Sequence, residues 1–160
     1  MDLIHKFTPK IEKILNQNPF NLDDSLNKIC QFLRTNVIHF DWVGFYFHNN
    51  EKTHLELKSF SGAPTEHKKI PFGIGVCGQV AVSNKKLIVP NVELEQNYLS
   101  CNINVKSEIV IPILVNKENI GQIDVDSNSV NPFTKNDIKL LEYVCDKIAL
   151  KIKTLKYGLD

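Results

Sequence analysis

The sequence predicts an α+β domain in which N- and C-terminal helices pack together on a mainly antiparallel central sheet. Apolar residues recur at helical spacing near both ends of the chain, and the middle consists of short runs rich in β-branched and aromatic residues. Polar turns such as "NNEK" and "NKE" join adjacent runs as hairpins, too tightly for parallel crossovers. A chain of 160 residues is one ordinary domain: helices over residues 1–38, the sheet and its site loops over 41–127, and a closing helix over 134–157.

The elements follow in order. Leu3, Phe7, Ile11, Ile14 and Leu15 give a first amphipathic helix, and Leu22, Leu26, Ile29, Cys30 and Leu33 a second. Strands are expected in "WVGFYFH", "THLELKSF", "KSEIVIPILV" and "NIGQIDVDS". Between the second and third of these, Gly75 to Ser83 read as a short helix crossing the sheet, and Lys86 to Val89 as a short strand before Pro90. Thr134 and Asp137 form a capping-box-like start to the last helix, whose stripe is Ile138, Leu141, Val144, Cys145, Ile148, Ile152 and Leu155.

Composition narrows the function. An apolar fraction of 42% with 23% charged residues is that of a folded globular chain, and 19 basic against 18 acidic residues leave a net charge of +1. That balance offers no electrostatic case for nucleic acid or an anionic membrane. The start "MDLIHKFTPKIEKIL" lacks the charged start and unbroken apolar run of a signal peptide, and no apolar stretch reaches membrane-span length, so a cytoplasmic location is expected. In that reducing setting the four cysteines are not expected to form a disulfide framework, and none lie at the short spacing of structural zinc sites. Cys30 and Cys145 fall on apolar helix faces and read as core thiols.

"FGIGVCGQV" holds Gly73, Gly75 and Gly78 at the G-x-G-x-x-G spacing of a dinucleotide loop. Such a loop should follow a buried parallel strand, and "EHKKIPF" before it is charged and carries a proline. The glycines are instead expected to make a tight turn that presents Cys77 in the first turn of a helix, where the dipole favours a thiolate. Cys77 and Cys101 sit in glycine-rich or polar sequence; they are either site thiols or edge cysteines without a role.

Alternation along "NIGQIDVDS" puts Gln122, Asp124 and Asp126 on one face, with Cα atoms of the two aspartates about 6.7 Å apart. Pairing with "IVIPILV" through a turn near Lys117 brings Glu108 opposite Asp126. This acidic face is either solvated or covered by the Cys77 and Cys101 loops, and covering would raise at least one carboxyl pKa.

Taken together, "DWVGFYF", "IPFGIGVCGQVA", "VPNV", Cys101 followed by "KSEIVIPI", and "IGQIDVDS" resemble the GAF-domain free methionine-(R)-sulfoxide reductases in order and spacing, from about Asp41 to the last helix. The resemblance implies Cys101 as catalytic cysteine and Cys77 as the cysteine of "GVCG". It also implies Glu108, Asp124 and Asp126 as acidic substrate-site residues, and Trp42 and Tyr46 as aromatics around the methylthio group; read without it, the two aromatics could simply pack the sheet. Where the family commonly carries a resolving cysteine, this chain has His67; Asn102 replaces an aspartate and "VPNV" a "VPDV".

The chemistry implied is attack by the Cys101 thiolate on a sulfoxide whose oxygen is protonated by a carboxylic acid, leaving a sulfenic acid. With the family's loop cysteine absent, Cys77 is the candidate to condense with it, and an external dithiol such as thioredoxin would reduce the disulfide. No metal, flavin or nucleotide cofactor is required. Expected partners are free methionine sulfoxide and the reductant, with a homodimer through the terminal helices as a further expectation. The competing class is a non-catalytic GAF domain that senses a small molecule or redox state.

Overall fold

The computed structural model describes residues 2–100 and 102–157. Helices α1 (Leu3–Leu15) and α2 (Leu22–Asn36) lead into β1 (Trp42–His48), β2 (His54–Ser61) and β3 (Lys69–Pro71). Helix α3 (Gly75–Ser83), β4 (Leu87–Val89) and a 3₁₀ turn (Val92–Leu94) precede β5 (Ser107–Val115), β6 (Glu118–Ser127) and α4 (Lys135–Tyr157). The six strands form one sheet in the order β3-β2-β1-β6-β5-β4. Every pairing is antiparallel, as the short connections require.

The expected helices form where periodicity puts them, and each start is capped. Asp2 and Asn21 accept from the amides of Ile4 and Asp24 at the starts of α1 and α2. Thr134 and Asp137 complete a reciprocal box: the Thr134 amide donates to Asp137 Oδ2 at 2.8 Å, and the Asp137 amide to Thr134 Oγ1 at 3.1 Å. The His39 ring, from the turn after α2, also donates to Asp137 Oδ2 at 2.6 Å, so one buried carboxylate ties that turn to the start of α4. The stripe on α4 differs from the expected one in detail. Its buried arc includes Leu140 and ends at Ala149, while Leu155 is 56% exposed. A wide apolar face takes both members of each i+3/i+4 pair, and the arc gives out in the last turns of the helix.

Two clusters occupy the two faces of the sheet. On one face α1, α2 and α4 bury Phe7, Leu26, Leu33 and Leu141 against Val43, Phe45, Ile123 and Val125. Cys30 and Cys145 lie in this cluster, and burial pushes both thiols up, as core cysteines require. The apolar stripes of the terminal helices are thus largely used within the chain. On the other face the short α3 covers Trp42, Tyr46, Leu55 and Val110. Helix α3 lies across the sheet and buries Val76, Cys77, Val80 and Ala81, residues on more than one side of the helix.

The segment before the glycine loop is not the buried parallel strand of a dinucleotide site. Residues Lys69–Pro71 of "EHKKIPF" do form a strand, but it is three residues long, at the sheet edge and antiparallel to β2. Ile70 points inward and Lys69 and Pro71 outward, which is how an edge strand accommodates charge and proline. The dinucleotide reading still fails, because that loop needs a central parallel strand.

The Asp137 carboxylate is 1% exposed and holds partners from two elements, so Asp137→Ala should cost about 2 kcal/mol. Thermal or urea melts should show that loss, with Asp137→Asn losing less; an unchanged midpoint would mean the box contributes nothing.

Candidate active site

The site is set by register. Across three adjacent strands Trp42 pairs with Asp126, and Asp126 pairs with Glu108. One step along, Gly44 pairs with Asp124, and Asp124 with Val110. All of these side chains share the face beneath α3, because β6 alternates Ile123 and Val125 into the helical core and Gln122, Asp124 and Asp126 away from it. Asp124, Asp126 and Glu108 are 1%, 2% and 5% exposed, so this face is covered rather than wet.

Helix α3 brings Cys77 onto this row. Gly75 starts the helix with a φ of +70°, and a Cβ there would sit 2.8 Å from Leu99, so only glycine fits. The amide of Gly75 donates to Asn97 Oδ1 at 2.8 Å, while Asn97 Nδ2 donates to the Gly73 carbonyl at 2.8 Å. Gln79 Nε2 donates to the Asn97 carbonyl at 3.0 Å. A residue from the loop before β5 therefore caps α3 from a distance. From below, Gln122 Nε2 donates to the Cys77 carbonyl at 3.1 Å.

The thiol meets the acids. Cys77 Sγ donates to Glu108 Oε1 at 3.8 Å, and one ligand atom each from Cys77, Glu108 and Asp124 lie within 4.8 Å of one another. Cys77 is 4% exposed, and burial, then the charges of Asp124 and Glu108, push its thiol well above the usual range. The expectation of a thiolate favoured by the helix dipole is therefore overturned: buried and faced by acids, the resting group is a neutral thiol. Burial likewise raises Asp124, an effect held back by hydrogen bonds from Glu108 and Cys77. Asp126 is raised well above the carboxylate range by burial and then by Asp124. Oδ1 of Asp124 and of Asp126 have no hydrogen-bond partner among the described residues.

Two aromatics and a loop close the face. Gly44 leaves room for the Trp42 indole, which a Cβ at that position would strike. The indole stacks on Phe60 at 5.7 Å and donates from Nε1 to the Ala63 carbonyl at 3.0 Å. Tyr46 is fully buried, and its hydroxyl donates to the His67 carbonyl at 2.8 Å. The His67 ring donates from Nε2 to the Ser100 carbonyl at 2.7 Å. His67, which stands where the family commonly carries a resolving cysteine, thus bridges the loop after β2 to the loop before β5.

Cys101 lies outside the described residues. Its neighbour Asn102 lines a cavity of about 190 Å³ with Trp42, Asp126, Thr65 and Arg34. A second space of about 10 Å³ lies against Cys77, Glu108 and Asp124. Sequence reasoning found every acid and aromatic of the row and put Gln122 on their face; it missed the contacts of Asn97 with Gly75 and of Gln122 with Cys77, which span 22 and 45 positions.

Residues 21–152 match the GAF domain family. The chain is 41% identical over 106 residues to GAF domain-containing protein A of Dictyostelium discoideum, covering 66% of each chain. It is 33% identical over 124 residues to a free methionine-R-sulfoxide reductase of Saccharomyces cerevisiae, covering 76% of this chain and 68% of that one. The fold superposes with a TM-score of 0.89, at 26% identity, on a free methionine-R-sulfoxide reductase from Neisseria meningitidis in complex with its substrate, covering 98% of this chain and 92% of that one. The fold class is therefore the GAF domain, and the chain belongs to the family of free methionine-(R)-sulfoxide reductases within it. No helix among the described residues is long and apolar enough to cross a membrane.

The raised Asp126 gives a pH signature. The folded chain keeps a proton on Asp126 that the unfolded chain releases above about pH 4, so this contribution to stability is complete below that pH and declines as pH rises toward the folded value. Asp126→Asn removes the slope. At neutral pH the variant should melt about 2–4 °C above wild type, with the gap closing toward pH 4. Equal midpoints at neutral pH would mean that Asp126 is ionised at no cost.

Proposed function

We propose that the chain reduces free L-methionine-(R)-sulfoxide to L-methionine by thiol chemistry, with Cys101 as the attacking cysteine. The observation that carries this reading is the closed row of Trp42, Asp126 and Glu108 with the Cys77 thiol against it, on a chain whose relatives are named for this activity.

Each part of the row has a task in the reaction. The sulfoxide sulfur is a weak electrophile until its oxygen is protonated, and carboxyls whose pKa is raised by burial can hold that proton at neutral pH. The unpartnered oxygens of Asp124 and Asp126 can accept from the substrate's ammonium or sulfoxide hydroxyl. The indole of Trp42 offers an apolar wall for the S-methyl group. The loop bearing Ala63 and His67, fastened by Trp42, Tyr46 and Ser100, leaves a small cavity with room for an amino acid rather than a chain.

In the first step Cys101 sulfur bonds to the sulfoxide sulfur, its proton passes to a carboxylate, and a carboxyl proton passes to the sulfoxide oxygen. The hydroxyl then moves from the substrate sulfur to Cys101, the S–O and transient S–S bonds to the substrate sulfur break, and Cys101 is left as a sulfenic acid while methionine leaves with its sulfur reduced by two electrons. Cys77 then attacks the sulfenic acid, its thiol proton leaving with the hydroxyl as water, and a Cys77–Cys101 disulfide forms. A neutral resting Cys77 suits this order, because its proton is needed only at that step. A dithiol such as thioredoxin accepts the oxidation and restores both thiols.

Turnover of the free (R) epimer, with the (S) epimer and a peptide-bound sulfoxide as controls, tests the reading. Cys101→Ser should abolish activity, and Glu108→Gln should lower kcat about 10²–10⁴-fold. Cys77→Ser should keep a single turnover but lose cycling with thioredoxin. A folded, reduced wild type that consumes none of these substrates would sink the reductase reading in favour of a ligand- or redox-sensing domain.

A further inference from the structure

The buried thiol and carboxylates have a second capacity besides acid–base work. A tetrahedral zinc ion takes Zn–S bonds of about 2.3 Å and Zn–O bonds of about 2.0–2.2 Å, which place sulfur and oxygen ligands about 3.5–3.7 Å apart. Cys77 Sγ and Glu108 Oε1 are 3.8 Å apart, and a ligand atom of Asp124 completes a triangle with no side above 4.8 Å. The ligands come from α3, β5 and β6, three elements packed around one point.

A second observation points to a ligand at that point. Asp124, 1% exposed, carries an Oδ1 with no partner among the described residues, and the residue lines, with Cys77, Glu108 and the apolar Ile70, Val76 and Leu99, a space of about 10 Å³. That space holds about one water-sized body, room for an ion stripped of its shell and too little for hydrated magnesium. A sulfur ligand beside two carboxylates selects a borderline-soft divalent ion.

We propose that Cys77, Glu108 and Asp124 form an inhibitory site for zinc or a similar divalent transition ion, mutually exclusive with substrate. On binding, the Cys77 S–H bond is replaced by an S–metal bond, the proton goes to solvent, and no oxidation state changes. The thiolate and two carboxylates carry three negative charges against the ion's two positive ones, and Asp126 remains protonated beside them. Metal binding stands on the geometry alone, whereas competition with the substrate rests on the reductase reading. With metal in place Glu108 and Asp124 are held as ligands and can no longer take part in proton transfer to a sulfoxide, and Cys77 is no longer available to close a disulfide.

The test uses the reduced, metal-free full chain titrated with Co²⁺, followed by Zn²⁺. One equivalent of cobalt should bring up a thiolate-to-metal charge-transfer band and the intense visible bands of a four-coordinate ion, both removed by zinc. Cys77→Ser should lose the charge-transfer band, Asp124→Asn should bind about tenfold or more weakly, and free methionine sulfoxide should weaken apparent affinity in wild type. The proposal is overturned by a folded wild type that shows no thiolate band, or by a band that survives in Cys77→Ser. Cobalt binding without turnover of sulfoxide would remove the reductase reading and the competition while leaving the site; turnover without a thiolate band would do the reverse.

Discussion

Three carboxyl groups and a thiol share one buried face, and the need to keep them from all carrying charge organises the structure around them. Coulomb repulsion between like charges at such distances is strong in a low-dielectric site, so the cluster is stable only with protons on it or with a cation in it. Asp126 answers by holding its proton, and Cys77 by remaining a thiol. An apolar cover is the price of that chemistry. Helix α3 provides it, held by Gln122 beneath and by Asn97 at its start.

The same constraint divides the sheet into two different surfaces. The face toward α1, α2 and α4 is an ordinary apolar core whose residues alternate inward along β1, β5 and β6. The opposite face carries polar side chains at the positions where an exposed antiparallel sheet would carry them, and then buries them. Strand β6 is consequently buried along nearly its whole length while still alternating apolar and polar residues. A burial pattern from structure and a polarity pattern from sequence disagree here, and their disagreement marks the site.

Much of this was legible in the residues. Helical spacing located α1, α2 and α4, and the register of Glu108 opposite Asp126 followed from one turn near Lys117. What escaped was what depends on contacts far apart in sequence or on competing magnitudes. The three residues of β3 are too short and too charged to show alternation, since only Ile70 turns inward. Asn97 caps a helix that begins 22 residues earlier, which leaves no local pattern. The charge state of Cys77 turned on a comparison: a helix N-terminus favours an anion by about 1 kcal/mol, whereas full burial shifts a pKa by up to about 3–5 units, or about 4–7 kcal/mol. Burial wins wherever the helix start is covered, and coverage cannot be read from "GVCG" alone.

The capping of α3 by Asn97 also bears on how the molecule acquires its shape. Helix α3 has no side-chain cap of its own at Ile74, so its first turn is completed only when the loop before β5 has folded back over it. Closing that loop carries an entropic cost that is recovered only after the contacts of high sequence separation form. The helical face of the sheet can assemble from contacts between amphipathic elements, whereas the acidic face must wait for β5, β6 and this loop together. Folding kinetics should therefore see the two sides as different stages, with the chemistry-bearing side the later to consolidate and the earlier to open.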